Sequence, residues 1–218
     1  MRKEFIIDEC RLLEAEPLTV ECFAVDVNTG ILAVARRSDT EDAATRDCFI
    51  EYWNVINAPF LFHVKTIYLG HVGAEGLLWI SHGILLSCHA DGCICVHNYH
   101  SSVVSKKQIS AKPLWCIAAT RQSEFCVGTD SGSVRFLTFH SGMIETQKVV
   151  TIDLSCRVLS LSSNGNIVAV GSIDRIDIID CLQYVIKHTI KVPRTEKWKP
   201  TIVWALQFLL DFHLTVAV

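Results

Sequence analysis

A unit of short β-branched and aromatic runs recurs along this chain, and no other feature limits its fold as strongly. Leu77-Leu-Trp-Ile is followed by Ile84-Leu-Leu-Ser-Cys, the turn Ala90-Asp91-Gly92 and Cys93-Ile-Cys-Val-His. Leu114-Trp-Cys-Ile-Ala is followed by Glu124-Phe-Cys-Val-Gly, the turn Asp130-Ser131-Gly132 and Ser133-Val-Arg-Phe-Leu. Arg157-Val-Leu-Ser-Leu is followed by Ile167-Val-Ala-Val-Gly, the turn Ile173-Asp174 and Arg175-Ile-Asp-Ile-Ile-Asp. The turn residues Asp91, Asp130 and Asp174 are 39 and 44 residues apart. At such a position an Asp accepts hydrogen bonds from turn amides and holds the hairpin.

The N-terminal part carries a related unit. Cys22-Phe-Ala-Val-Asp-Val meets Ile31-Leu-Ala-Val-Ala through the hairpin signal Asn28-Thr29-Gly30. Phe49-Ile-Glu-Tyr-Trp-Asn-Val and Phe62-His-Val-Lys-Thr-Ile-Tyr-Leu supply two more strands, after an acidic, Ala-rich stretch from Ser38 to Asp47 that reads as a solvated hairpin extension. Ile202-Val-Trp-Ala-Leu-Gln-Phe and His213-Leu-Thr-Val-Ala-Val open a fifth unit. Four strands in a period of roughly 40–45 residues mark a WD40-type β-propeller blade. The expected fold is all-β, with about four and a half four-stranded blades at residues 18–70, 76–110, 114–150, 156–192 and 202–218. A blade buries its faces against two neighbours. The ring is therefore expected to be incomplete within these 218 residues, and the chain to be a piece of a longer protein or a truncated form of one.

Composition narrows the functional classes. Half of the chain is hydrophobic, 20% is charged, and the net charge is -3. That balance excludes a disordered chain and an overtly basic nucleic-acid binder. No apolar run reaches the ~18 residues of a membrane-spanning helix. The late run from Ile202 to Leu210 is short and contains Gln207, and the N-terminus meets Asp8 and Glu9 before any leader-like core. Ten cysteines in such a chain point to a reducing compartment and to buried free thiols rather than disulfides.

Four motifs invite a chemical reading. Asp130-Ser131-Gly132 has the composition of a protease nucleophile loop, but it falls where Asp91-Gly92 falls one unit earlier, and turn propensity explains it. Cys88, His89, Cys93, Cys95 and His97 form the one metal-like cluster, without a second ligand pair at zinc-ribbon spacing. Buried thiols with a hydrogen-bonded His account for it. Gly70, Gly73 and Gly76 lead into no helical period, as a phosphate-cradling loop would require. Lys191, Arg194, Lys197 and Lys199 surround Pro193, Trp198 and Pro200, with Glu196 the acid among them. Such a loop can contact RNA phosphates and stack a base, or contact a partner, or simply be solvated.

Laid out by unit, the sequence resembles one WD40 family. Arg157-Val-Leu-Ser-Leu-Ser and Ile167-Val-Ala-Val-Gly-Ser-Ile-Asp are similar to the fourth blade of the cirhin family, the U3 small nucleolar RNA-associated WD-repeat proteins of the small-subunit processome. Pro113-Leu-Trp-Cys-Ile-Ala-Ala and Val127-Gly-Thr-Asp-Ser-Gly-Ser-Val-Arg-Phe are similar to its third blade, and Ile202-Val-Trp-Ala-Leu-Gln-Phe-Leu to its fifth. Ile31-Leu-Ala-Val-Ala-Arg and Ile50-Glu-Tyr-Trp-Asn suit the first. The Gly-His dipeptide of WD repeats occurs once, at Gly70-His71, and Asp180 stands without a preceding Trp.

The resemblance covers nearly the whole chain but only the N-terminal part of that family. It implies a non-catalytic scaffold acting in nucleolar pre-rRNA processing and small ribosomal subunit biogenesis. Its implied partners are other WD-repeat subunits of the processome, the U3 ribonucleoprotein and the 5′ leader of pre-rRNA, with no cofactor, no small-molecule substrate and no membrane. Two alternatives remain: a WD40 adaptor of another complex, such as a ubiquitin-ligase substrate receptor or a vesicle-coat subunit, and a channel enzyme, for which no recurring acid–base set is visible. Open seams and the uncharged strand Leu214-Thr-Val-Ala-Val predict that residues 1–218 alone associate or aggregate. A single monomeric sedimentation boundary with cooperative unfolding would contradict that expectation.

Overall fold

The computed structural model describes residues 18–38, 45–56, 61–81, 83–101, 104–121, 123–194, 196–209 and 213–218. Cys10 and the centre of the Ala-rich stretch, residues 39–44, lie outside them. Among the described residues every element is a strand. The first unit comprises β1 (Leu18–Asp26), β2 (Ile31–Ser38), β3 (Cys48–Asn54) and β4 (Phe62–Gly70). The second comprises β5 (Ala74–Ser81), β6 (Ile84–His89), β7 (Cys93–Asn98) and β8 (Val104–Gln108). The third comprises β9 (Leu114–Arg121), β10 (Glu124–Thr129), β11 (Ser133–His140) and β12 (Met143–Thr151). The fourth comprises β13 (Ser160–Ser163), β14 (Ile167–Gly171), β15 (Arg175–Asp180) and β16 (Val185–Lys191), and β17 (Ala205–Phe208) pairs with β18 (Leu214–Ala217).

Each of the four units is an antiparallel meander in chain order, an arrangement consistent with successive β-propeller blades. First strands pack on first strands, in the order β1, β5, β9, β13, β17. No sheet joins β17 or β18 back to β1 among the described residues.

Between neighbouring units lie apolar layers. Ile50 and Tyr52 meet Ala74, Leu77 and Leu85; Leu86 and Ile94 meet Leu114, Phe125 and Leu137. Val134 and Phe136 meet Val158, Val168 and Ile179, and Ala169 and Ile176 meet Val203 and Leu206. In the second, third and fourth units the second and third strands are thus covered on both faces, while β2 and β3 of the first alternate buried with half-buried residues. Residues 85–89 of β6 and 93–97 of β7 are buried throughout, which explains why those runs read as continuously apolar rather than alternating. Fourth strands form the rim, and β16 is exposed along its whole length.

The turn between second and third strands sets the unit length. Gly92 and Gly132, at φ +81° and +68°, stand immediately before the third strand, and Asp174, at φ +60°, takes the same place in the fourth unit. Asp tolerates this left-handed conformation better than most residues because its side chain bonds locally. At Gly132 a Cβ would stand 1.5 Å from the Asp153 carbonyl oxygen, whereas at Gly142 (φ +82°) it would meet nothing within 4 Å. Gly142→Ala is therefore expected to cost only the left-handed backbone penalty of about 1–2 kcal/mol. Gly132→Ala should cost clearly more, read as a lower urea midpoint at unchanged slope.

Candidate functional site

In an antiparallel meander, the turn between second and third strands and the connector to the next unit share one end of the sheet. Hydrogen bonds join them here. The Gly92 carbonyl accepts from the amides of Ile109 (3.0 Å) and Ser110 (3.1 Å), the Gly132 carbonyl from Ile152 (2.8 Å), and the Asp174 carbonyl from Val192 (2.9 Å).

The turn aspartates lie at this end but in three different places within their turns. Gly92, Gly132 and Asp174 are the equivalent residues, 40 and 42 apart, so the spacing of the aspartates is not the true period. Asp91 closes its own turn by accepting from the Cys93 amide (3.1 Å), and it pairs with Lys106 (2.5 Å). Asp130 instead accepts from the Trp115 indole N–H (3.0 Å) and from Arg157 Nε (2.7 Å), whose guanidinium lies over the Trp115 ring at 5.2 Å. Asp174 accepts from the Thr201 amide (2.7 Å) and from Arg194, while its own amide donates to the Thr201 carbonyl (2.7 Å). Arg157 and Thr201 belong to connectors entering the next unit. Asp130 and Asp174 therefore fasten one unit to its successor rather than holding their own hairpins.

A second repeated device is invisible in the repeat pattern. The pairing of first and second strands slips by one residue between Val20 and Cys22, between Ala74 and Gly76, and between Leu114 and Cys116. Glu21, Glu75 and Trp115 are the bulged residues, and a bulge of this kind re-aims its side chain. Glu21 and Glu75 line a cavity of about 340 Å3 between the first two units, together with Arg37, Arg46, His71 and Asp91. Arg37 Nε pairs with Glu21 at 2.5 Å. His71 donates from Nδ1 to the Arg46 carbonyl (2.9 Å). Arg46 Nε is buried without a hydrogen-bond partner. Burial first, and Glu21 second, raise the Glu75 carboxyl above the usual range against the pull of Arg37 and Arg46.

Directly behind the cavity wall lies a buried polar chain. His89 donates from Nδ1 to the carbonyl of Gly73, a cavity-wall residue, at 2.9 Å. Its Nε2 then accepts from the Ser87 hydroxyl (2.8 Å), and Ser87 Oγ accepts from Nε2–H of His97 (2.7 Å). That order leaves His97 Nδ1 a bare acceptor, buried and without a partner.

The residues singled out in the sequence separate accordingly. Cys93, Cys95, His89 and His97 share one face of the second unit, while Cys88 faces the third unit in its apolar layer. No set of three or more His, Cys, Asp or Glu residues is placed to hold a metal ion among the described residues. Ser131 bonds to Thr129 Oγ1 at 3.0 Å within its turn, and Gly70 ends β4, Gly73 lies in the connection to β5 and Gly76 lies within β5. The nine described cysteines are free thiols. Lys191, Lys197 and Lys199 are exposed beside Trp198, whereas Arg194 is spent on Asp174 and on the Lys197 carbonyl (3.0 Å). Sequence reading missed Ser87, Glu75, Arg46 and Arg157. Arg157 alone carried a signal, since it opens the connector side of a repeat.

The histidine chain makes stability depend on pH. Burial chiefly, then His89 and Lys65, push His97 down to about 4, and burial lowers His89. An unfolded His takes up its proton near 6.5. Stability is thus fully present above about pH 6.5 and is lost as pH falls toward about 4, by up to ~1.4 kcal/mol per pH unit for each histidine. His97→Gln keeps a donor for Ser87 and should flatten the slope between pH 6.5 and 5 by one proton in urea titrations. An unaltered slope would mean that His97 is not held neutral.

No protein-family model matches the chain, and no curated protein matches it.

Proposed function

We propose that the chain is a non-catalytic scaffold, part of a WD40-type β-propeller, and that it serves as a cirhin-like subunit of the small-subunit processome in the nucleolus. The observation that carries an RNA-facing role is the charge at the turn end. Four acids there are neutralised internally, Glu21 by Arg37, Asp91 by Lys106, Asp130 by Arg157 and Asp174 by Arg194, while Arg175 is shared between Asp153 and Asp177. Glu75 and Glu196 have no basic partner among the described residues, so the surplus of cations is confined to the loop, where Lys191, Lys197 and Lys199 stand against Glu196 alone although the chain carries -3. The 10-residue segment 192–201 is clamped at its base by Asp174 and presents Trp198, 79% exposed, between the two lysines. Cations flanking an aromatic suit phosphates flanking a stacked base.

Two of the strings that carry the resemblance fall near the start of a first strand: Leu114-Trp115 opens β9, and Val203-Trp204 immediately precedes β17. Ser87 and His89 have the atoms of a nucleophile and its base, but both are buried, which supports a structural role. A WD40 adaptor of another complex is the second reading, and one experiment separates the two. Affinity capture of the protein from its cells should recover U3 RNA and the 5′ leader of pre-rRNA; recovery of ligase or coat subunits instead would overturn the processome reading. In the same assay, Lys191, Lys197 and Lys199 changed together to Ala should weaken RNA retention. The slope of log affinity against log salt should flatten by about 0.7 for each phosphate that the lysines no longer neutralise. An unchanged slope would assign the loop to solvent.

A further inference from the structure

The geometry points to the cavity between the first two units as a pocket for a guanine base of single-stranded RNA, an inference that rests on the RNA-facing reading above. Two bulges aim carboxylates into this cavity, and the hydrogen-bond inventory decides what can fill it. Glu21 is ion-paired with Arg37 although its Oε1 accepts no hydrogen bond, Asp91 is spent on Lys106, and His71 Nδ1 on the Arg46 carbonyl. What remains in the lining is the Arg46 guanidinium, whose Nε is closed to solvent and without a partner, and the Glu75 carboxylate.

A phosphate or carboxylate would satisfy Arg46 but face Glu75, Glu21 and Asp91. An ammonium or guanidinium would satisfy Glu75 but face Arg37 and Arg46. The complementary occupant is neutral and carries acceptors beside donors. Among the bases, guanine offers a carboxylate two parallel donors, N1–H and N2–H, with O6 and N7 alongside for an arginine. Adenine, cytosine and uracil each set an acceptor against one carboxylate oxygen.

The space fits this choice. About 340 Å3 is at the small end of ligand pockets and takes one base rather than a folded element. Val72, Ala74 and Ala90 supply apolar wall for the ring faces. The wall is held from behind, because His89 fixes the Gly73 carbonyl. The raised Glu75 carboxyl agrees with a half-buried carboxylate beside a second acid, Glu21.

The test uses the 218-residue chain and fluorescent seven-nucleotide oligouridines carrying G, A, C or U at the centre. The G-containing strand should bind on the order of tenfold to a hundredfold more tightly. Glu75→Gln should abolish that preference while retaining the weaker, base-independent binding, and Arg46→Gln should do the same from the other side of the cavity. Lys187→Ala, on the outer strand of the fourth unit, should leave the preference unchanged. Equal affinity for the four strands, or a preference that survives both cavity variants with native melting curves, would overturn the proposal. So would guanosine monophosphate binding as tightly as the G-containing strand, since free nucleotide would then be the ligand. RNA binding without base preference would remove the pocket alone. Failure to capture U3 RNA from cells would count against the processome reading and not against a measured preference for G.

Discussion

Burial of one sheet between two others is the constraint on which this structure depends. In the second, third and fourth units the second and third strands have little solvent face, so they need apolar side chains and neighbours on both sides. Leu86, Cys88, Ile94 and Val96 turn toward the third unit while Leu85 turns toward the first, all from one hairpin. Apolar transfer of roughly 25 cal/mol per Å2 then acts across unit boundaries rather than within a unit, which makes each unit dependent on its neighbours. Polar residues in that double layer must bring their own partners. Ser87, His89 and His97 do so by chaining through one hydroxyl, His97 Nδ1 alone being left over, and Asp177 does so by accepting from Arg175 at 2.6 and 2.8 Å.

The same dependence explains what was legible from the chain alone. Two-sided burial writes itself into sequence as continuous runs such as Ile84-Leu-Leu-Ser-Cys and Ile167-Val-Ala-Val-Gly, and turn residues punctuate them at regular distance. The four-strand units were therefore readable, together with their order. The equivalence of individual turn residues was not. Asp91, Asp130 and Asp174 look alike, yet the backbone requirement falls on the residue before the third strand, where Gly92 and Gly132 have given way to Asp174. A residue-type match misled where a conformational requirement was the quantity that repeats.

The candidate site was least legible, for a related reason. Its geometry comes from one-residue slips at Glu21, Glu75 and Trp115, and a slip leaves the apolar pattern of the flanking strand unchanged. Its electrostatics come from pairs between different units, such as Asp130 with Arg157 and Asp153 with Arg175, whose members are distant enough in sequence that no local motif joins them. Lys191, Arg194, Lys197 and Lys199 form a cluster in sequence, but the fold divides them. Arg194 anchors the loop, and the lysines are left to face outward.

That division of labour extends over the whole turn end. An exposed ion pair contributes little stability, commonly well under about 1 kcal/mol, so the paired aspartates do not hold the units together energetically. The apolar layers do that. What the pairs accomplish is positional: Asp130 fixes Arg157 against Trp115, Asp174 closes the base of the 192–201 loop, and Asp91 with Lys106 borders the cavity. Each also cancels a carboxylate that would otherwise repel a phosphate backbone. A surface of this kind gains its charge by subtraction, leaving lysines unopposed on a frame whose stability is settled elsewhere. Its loops are consequently freer to vary in sequence than the strands, provided that the residue before each third strand still tolerates the left-handed conformation of Gly92, Gly132 and Asp174.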